Sequence, residues 1–523
     1  MRKILKKVLS SILLVSILSG CGASKSSESV NESGVINDDF SEKMTLNFNV
    51  VDTEIQDKDA RYDYLKEKFN IDFELIACNW GDVKEKVRIW VASGDMPEMM
   101  WSEINSANEL KTWIDSGQLL DLSEVINNYP NLKAIQDNIK TDDTMFNNEG
   151  KRYFLSTGKD MEPVNFRVNQ LFFYRKDWAQ ALGLDKESYT WEELQELAVA
   201  MIEEDPGNNG VGKTYGIGGS GFYYPGFVGL EQNNRYWNEF YKGKDGKYTW
   251  GGDDEATLEG LRDAKGLYDS GALWNEQGIA QVDDAFALFT SGQMGIHYGA
   301  YNGNYIQQVI ASMESAYPDK NIEDIMGVMK VTNDNDNITI IEGKDSWGQV
   351  CFRADIAPER LHRYLTMLDY LASEEGVLLQ RYGVEGTDYE IDNGEIKILW
   401  EKDENGNFIN PYEVNSDRVL SLSQLNEFEK CFTELVPPST QSYMEEMREI
   451  IMSDNIDLKE FDYEMQTKSG KKLESSTLGD DLDAKVTELL VTTADKDEIV
   501  EKYLEWVGTQ RENIDGILEE LNN

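Results

Sequence analysis

The chain has 523 residues, with 97 Asp and Glu against 50 Lys and Arg and a formal net charge of −47 at pH 7. That excess of negative charge excludes a nucleic-acid partner, whose binding rests on neutralising phosphates, and describes a solvated surface that stays soluble outside a cell. The chain has two histidines and four cysteines, and no pair of cysteines has CxxC spacing. Neither a zinc knuckle nor a redox motif is therefore written in it.

The first residues read as a targeting signal. Arg2, Lys3, Lys6 and Lys7 precede an apolar stretch over residues 8–17, broken only by Ser10, Ser11 and Ser16. A bilayer needs about 20 apolar residues, so this run is a secretory signal peptide, expected to occupy residues 1–20. Leu18, Ser19, Gly20 and Cys21 follow it and resemble the bacterial lipobox. Cleavage before Cys21 and a diacylglycerol on its thiol are expected, and two acyl chains give a stable anchor. Residues 21–41 are the lipidated cysteine and a tether rich in Ser, Asn, Asp, Glu and Gly, with too little apolar surface to offset its ordering entropy. No second apolar run is long enough to span a membrane.

Residues 44–51 alternate like a half-buried strand. A helix is expected over 59–69 with Tyr62, Leu65 and Phe69 on one face, then a strand over 71–77. A second helix over 82–92 carries Val83, Val87 and Trp90 and stops at Gly94, with Pro97 beyond it. Residues 98–101 form a short strand. Strand–helix–strand order implies parallel pairing and an α/β domain. The same logic resumes with a strand over 169–174, a helix from Lys176, and a capping box at Thr190 and Glu193 that opens a helix to about Glu203. Extended structure is expected at 215–218, helices at 257–269 and 284–290, and a strand at 295–298. Residues 326–331 and 338–341 suggest a hairpin across the polar loop 332–337. A strand at 347–352 and a helix at 358–371 follow. The last third is helical and acidic, clearest at 499–507 and 514–521.

Two motifs in one loop mislead. Residues 207–214 match GxxxxGK[ST], but a phosphate-binding loop needs a strand before it and a helix after it. Here a helix precedes and an extended, glycine-punctuated segment follows. Residues 205–210 also resemble a degenerate calcium loop, with Gly207 at the third position, Lys213 at the ninth and no late bidentate glutamate. No metal ligand set and no cofactor motif is assigned. Catalysis has no HExxH or GxSxG motif to stand on. His362 reads as a surface or boundary residue on a helix; His297, at a strand end, could touch a ligand. Cys78 and Cys351, in apolar surroundings, read as small core residues.

The aromatics carry more. Trp80, Trp101, Tyr223, Tyr224, Tyr298, Tyr301 and Trp347 stand where strands give way to loops, and open α/β sheets bind ligands beyond the carboxyl ends of their strands. Aromatic rings bury the C–H faces of sugars while carboxylates and amides bond their hydroxyls, a role open to Glu103. Alanine at Trp101 or Tyr298 is expected to weaken sugar binding by about 1–3 kcal/mol and leave folding intact.

At this point a family resemblance is visible. Ser93-Gly-Asp-Met-Pro-Glu-Met-Met-Trp101 with Asp115-Ser-Gly-Gln-Leu-Leu-Asp-Leu122 resembles "SGDLPDI … GLLxDL". Residues 174–184 with 190–194 resemble "YRKDWLxxLGL … TWDEL". Residues 289–296 resemble "FxxGKxAM", and 370–376 with 382–389 resemble "YSEEG … YGIEGxxY". These are the motifs of the family 1 extracellular solute-binding proteins, the maltose-binding-protein-like receptors, in their long lipoprotein branch. The resemblance covers residues 44–389.

It implies an α/β fold of two lobes closing like a clamp, the type II periplasmic-binding-protein architecture, each lobe a mixed sheet flanked by helices with hinge strands between. Lobe 1 would comprise 42–165 and about 350–435, and lobe 2 170–346 and about 437–523. Crossings are expected near 164–172, near 346–352 and around Pro437. Trp80, Trp101 and Glu103 would line the first side of the cleft, Tyr223, Tyr224, Tyr298 and Tyr301 the second, and Trp347 the hinge. The implied function is capture of a carbohydrate, an oligosaccharide, and delivery to the permease of an ABC importer, without catalysis. The receptor would be monomeric and held by Cys21 on the extracytoplasmic face of the membrane, at a Gram-positive surface. The alternatives are a surface glycoside hydrolase on the same type of anchor, or the same clamp binding a peptide or amino-acid-like solute.

Overall fold

The computed structural model describes residues 40–51, 60–79, 82–102, 107–139, 150–158, 170–219, 230, 233–274, 276, 284–300, 303–333, 335–342, 346–392, 395–402, 408, 409, 411, 412, 438–460, 462, 465 and 478–523. In chain order its strands begin with β1 (Met44–Val51), β2 (Ile71–Cys78), β3 (Met99–Ser102), β4 (Phe154–Gly158), β5 (Gln170–Arg175), β6 (Tyr189–Thr190) and β7 (Tyr215–Gly219). There follow β8 (Phe240–Lys242), β9 (Tyr248–Trp250), β10 (Met294–Ala300), β11 (Met326–Met329), β12 (Val331–Thr332) and β13 (Ile338–Ile341). The series ends with β14 (Ser346–Phe352), β15 (Tyr389–Asp392), β16 (Glu395–Ile398) and β17 (Ile456–Lys459).

Two mixed sheets organise the chain. The first has the order β2-β1-β3-β14-β4, and the second β11-β5-β10-β7. Strands β1, β2 and β3 pair in parallel, as their strand–helix–strand order implies, while β14 runs antiparallel to both β3 and β4. Helix Ala60–Phe69 turns Tyr62, Leu65 and Phe69 onto the first sheet, and helix Val83–Ser93 turns Val83, Val87 and Val91 inward with Trp90 half-buried. Gly94 ends that helix in the left-handed region, φ 78°, and its N–H donates to the carbonyl of Trp90. Glycine takes this conformation without steric cost. The same core collects Leu361, Leu365 and Leu368 from the later helix Pro358–Leu371. Each such side chain contributes about 1.5–3 kcal/mol when fully buried.

The second sheet is packed on both faces. One core joins Phe173, Phe289, Ile306 and Met326 to Met447 and Ile451 of helix Pro438–Ile451. The other joins Phe172, Tyr298 and Ile217 to Trp178, Leu194 and Met201. The capping box forms as expected. Thr190 Oγ1 accepts from the N–H of Glu193 at 3.2 Å, and Glu193 Oε2 accepts from the N–H of Thr190 at 3.0 Å. Thr190→Ala is expected to remove about 1 kcal/mol of stability, read as a lowered urea midpoint.

One expectation needs correction. Residues 326–331 and 338–341 do not form a hairpin. Strand β11 pairs antiparallel with β5, and β13 pairs in parallel with β17, more than a hundred residues on. Loop geometry between neighbours is readable in a sequence, whereas a partner so far away leaves no local mark. At the end of the chain the two segments expected to be helical, 499–507 and 514–521, both lie in one helix, Lys496–Asn522. Gly508 lies inside this helix, where glycine costs about 1 kcal/mol. Apolar burial on both sides, from Tyr503 and Val507 to Ile514 and Ile517, and an ion pair from Arg511 to Asp253 outweigh that cost. This helix, Leu478–Thr492 and Glu255–Asp269 share a separate core with the β8–β9 hairpin.

Candidate functional site

Strand direction sets which strand ends share an edge. Because β1 to β4 run one way and β14 the other, Val51, Cys78, Ser102, Gly158 and Ser346 share one edge of the first sheet. In the second sheet, Gln170 at the start of β5 shares an edge with Gly219, Ala300 and Met329 at the ends of β7, β10 and β11. The connection from β4 to β5 leaves the first of these edges and enters the second, and the connection into β14 arrives at the first. These edges are where ligands of open α/β sheets bind.

Three of the eight residues expected at the site follow these strand ends within two residues in sequence. Trp80 comes two residues after Cys78, Glu103 one after Ser102, and Tyr301 one after Ala300. Trp80, Glu103, Tyr223, Tyr224 and Tyr301 lie outside the described residues, as do Pro437, Cys431 and the side chain of Trp347. Trp101 lies one residue before the end of β3 and Tyr298 two before the end of β10. Both are buried, with 4% and 8% of their surface exposed. Tyr298 stacks obliquely on Phe172, ring centroids 4.8 Å apart.

Trp101 is held in a way the sequence reading missed. The fully buried Asn49 of β1 donates its amide to the carbonyl of Trp101 at 3.0 Å and accepts the N–H of Trp101 at 2.8 Å. A carboxamide presents a donor and an acceptor in the geometry of a peptide group, so it extends the β1–β3 ladder past the Phe48–Met99 pair. Gln136 repeats the device at the far side of the sheet, on the N–H and carbonyl of Ser156, each at 2.8 Å. The signal available in the sequence was an asparagine at 49 between Phe48 and Val50, a residue depleted from strands. Ser346, fully buried at the start of β14, has a hydroxyl with no hydrogen-bond partner among the described residues.

His297 lies within β10 rather than at its end. It is fully buried, stacks on Phe289 with centroids 5.5 Å apart, and shares a hydrogen bond between Nε2 and the Tyr305 hydroxyl. Burial among rings pushes its pKa down to about 3, so the ring is neutral. Neighbouring residues of a strand face opposite ways, so with Tyr298 in one core His297 falls in the other. His362 is half-buried and bonds Tyr129 through Nδ1 at 2.7 Å. Cys78 and Cys351 are buried free thiols; burial raises both, Cys351 to about 12, and disfavours their thiolates.

The 205–214 loop closes on itself. Asp205 accepts from the Thr214 hydroxyl and from the N–H groups of Gly210 and Asn209, which together hold its carboxyl below the usual range. Helix Trp191–Glu204 precedes the loop and β7 follows it, the reverse of a phosphate-binding arrangement. Among the described residues no group of three or more His, Cys, Asp or Glu could hold a metal ion, and no helix is long and apolar enough to cross a membrane.

Comparison with known proteins agrees with this architecture. The family model described as bacterial extracellular solute-binding protein matches residues 52–343, more than half of the chain. Lipoprotein LipO of Bacillus subtilis (strain 168) is 25% identical over 321 residues, 59% of this chain and 60% of LipO. The chain thus matches about three fifths of the length of the first curated relatives. Among solved structures, the alginate-binding protein AlgQ2 without calcium ion superposes with a TM-score of 0.65 at 15% identity, covering 92% of this chain and 98% of that one. The ABC-transporter substrate-binding protein FusA of Streptococcus pneumoniae, in complex with kestose, gives 0.57 at 17% identity, covering 91% and 96%. The fold is that of the two-lobed, periplasmic-binding-protein-like receptors.

Proposed function

Because the chain belongs to the bacterial extracellular solute-binding proteins, we propose that it captures an oligosaccharide outside the cytoplasm and passes it to the permease of an ABC importer. The observation that carries the reading is the pair of sheets whose strand ends are joined by the crossing segments, with aromatic residues gathered in sequence at those ends. Trp80, Trp101 and Glu103 then belong to one side of a cleft, Tyr223, Tyr224, Tyr298 and Tyr301 to the other, and Trp347 to the hinge. Residues 42–165 with about 350–435 form the first lobe, and 170–346 with about 437–523 the second. The sugar names borne by AlgQ2 and by FusA's bound kestose favour a carbohydrate over a peptide. The chain acts as a monomer and binds without turnover.

A thermal-shift screen of residues 24–523 tests this, using galacturonate, mannuronate, fructo-, gluco- and manno-oligosaccharides. A ligand at 100-fold excess over its Kd stabilises the folded state by about 2.7 kcal/mol. We expect one sugar class to raise the melting temperature and to be recovered intact. Hydrolysis of that sugar would make the protein an enzyme, and no shift with any sugar would end the carbohydrate reading.

The same proposal puts the receptor on the extracytoplasmic face of the cell membrane, at a Gram-positive surface, anchored through Cys21. Cys21→Ser is expected to move the protein from the membrane fraction to the medium. Retention of the variant in membranes would refute the lipid anchor.

A further inference from the structure

Strand β14 changes register where it enters the first sheet. Ser346 pairs with Gly158 and Gln349 with Ser156, so three steps along β14 oppose two along β4. The extra residue makes a bulge at Trp347 and Gly348. Bulges bend a strand and re-aim the side chains beside it. On the neighbouring strand, Trp101 lies directly opposite Val350. Its indole does not stop there. A Cβ placed on Gly348 would stand 2.6 Å from Trp101 Nε1, 2.7 Å from Cζ2 and 2.8 Å from Cε2, closer than side-chain carbons come in practice. The indole therefore lies along the bare backbone of Gly348, reaching from Val350 towards the edge where β14 begins. Asn49 pins the other end of the residue by bonding both of its backbone groups.

We propose that Asn49 and Gly348 are positioning residues for ligand binding: Asn49 fixes the backbone of Trp101, and the bulged Gly348 provides the slot that aims its indole at the sheet edge. This rests on the oligosaccharide-receptor reading above. Neither residue touches the ligand; both act through Trp101. Any side chain at 348 must push the ring out of its slot, because strand backbone on one side and a packed core on the other leave it no small adjustment.

The test uses the full chain in detergent, labelled with 5-fluorotryptophan, with the fluorine resonance of Trp101 identified by its loss in Trp101→Phe. Gly348→Ala and Asn49→Asp are expected to displace that resonance. Each is expected to weaken binding of the sugar found in the oligosaccharide screen by about tenfold or more. Asn49→Gln, which keeps the amide, should recover part of the affinity lost in Asn49→Asp. In the Trp101→Phe background, where the smaller ring leaves room, Gly348→Ala should add little further loss, a non-additivity expected only of residues that act through one another. An unmoved resonance overturns the inference. So does unaltered affinity in Gly348→Ala, or losses that simply add. If the wild-type chain binds none of the sugars, the receptor reading falls and takes the positioning role with it. If the wild type binds and the variants bind as well, the positioning role alone falls.

Discussion

Trp101→Ala is expected to cost about 3–5 kcal/mol of stability, a loss read as a lower urea midpoint. The indole is 4% exposed and shares its core with Met99, Met100, Val350 and Phe352. Removing it leaves a cavity between two strands whose backbones are already fixed by the ladder and by Asn49. Read from the sequence, an alanine at this position looked like a clean probe of sugar binding that leaves folding intact. Its burial makes it a probe of the fold first. Trp101→Phe keeps more of the apolar volume and separates the two effects: it should lower the midpoint less than Trp101→Ala does while still changing affinity. A midpoint unchanged in Trp101→Ala would mean that the ring is not packed as described. Tyr298, 8% exposed against Phe172, carries the same warning on the other sheet.

The contrast shows what a sequence can disclose about a receptor of this kind. Elements with local punctuation were legible. The Thr190–Glu193 box opens its helix and Gly94 closes one, and the spacing of Tyr62, Leu65 and Phe69 gives the buried face. Each of those signals is a hydrogen bond or a contact made within a turn or two. The pairing of β13 with β17 was not legible, because nothing near residue 340 specifies a strand near 457. The positions at strand ends were legible as positions, through the switch from alternating apolar residues to loop residues. What they do there was not. Trp101 is surrounded by Gly348 and Asn49, which come from strands far from it in sequence. His297 shows the same limit: one residue from Tyr298, it belongs to another core.

His297 also gives a distinct pH effect on the stability of the fold. Its ring is neutral in the folded protein, with the pKa pushed down to about 3 by burial among Phe173, Phe286, Phe289 and Tyr305. In the unfolded chain the same ring titrates near about 6.5. Between those values the unfolded state binds a proton that the folded state refuses, so stability falls as pH falls. The contribution is complete above about pH 6.5 and is lost progressively towards pH 3, to a total of about 4–5 kcal/mol at about 1.4 kcal/mol per pH unit. Carboxylates titrate in the lower part of this window too, and with 97 of them their sum would hide one ring. Comparison with His297→Phe removes that background, since every other group is shared. The variant should be less stable than the wild type at pH 7, where the bond to Tyr305 is lost, yet its stability should decline less steeply between pH 6.5 and about 4. Nuclear magnetic resonance gives an independent reading, in which the His297 ring should not titrate above about pH 4. Parallel stability–pH curves for the two proteins, or a His297 ring titrating near pH 6.5, would mean that the ring reaches water and that the core on its side of the second sheet is open.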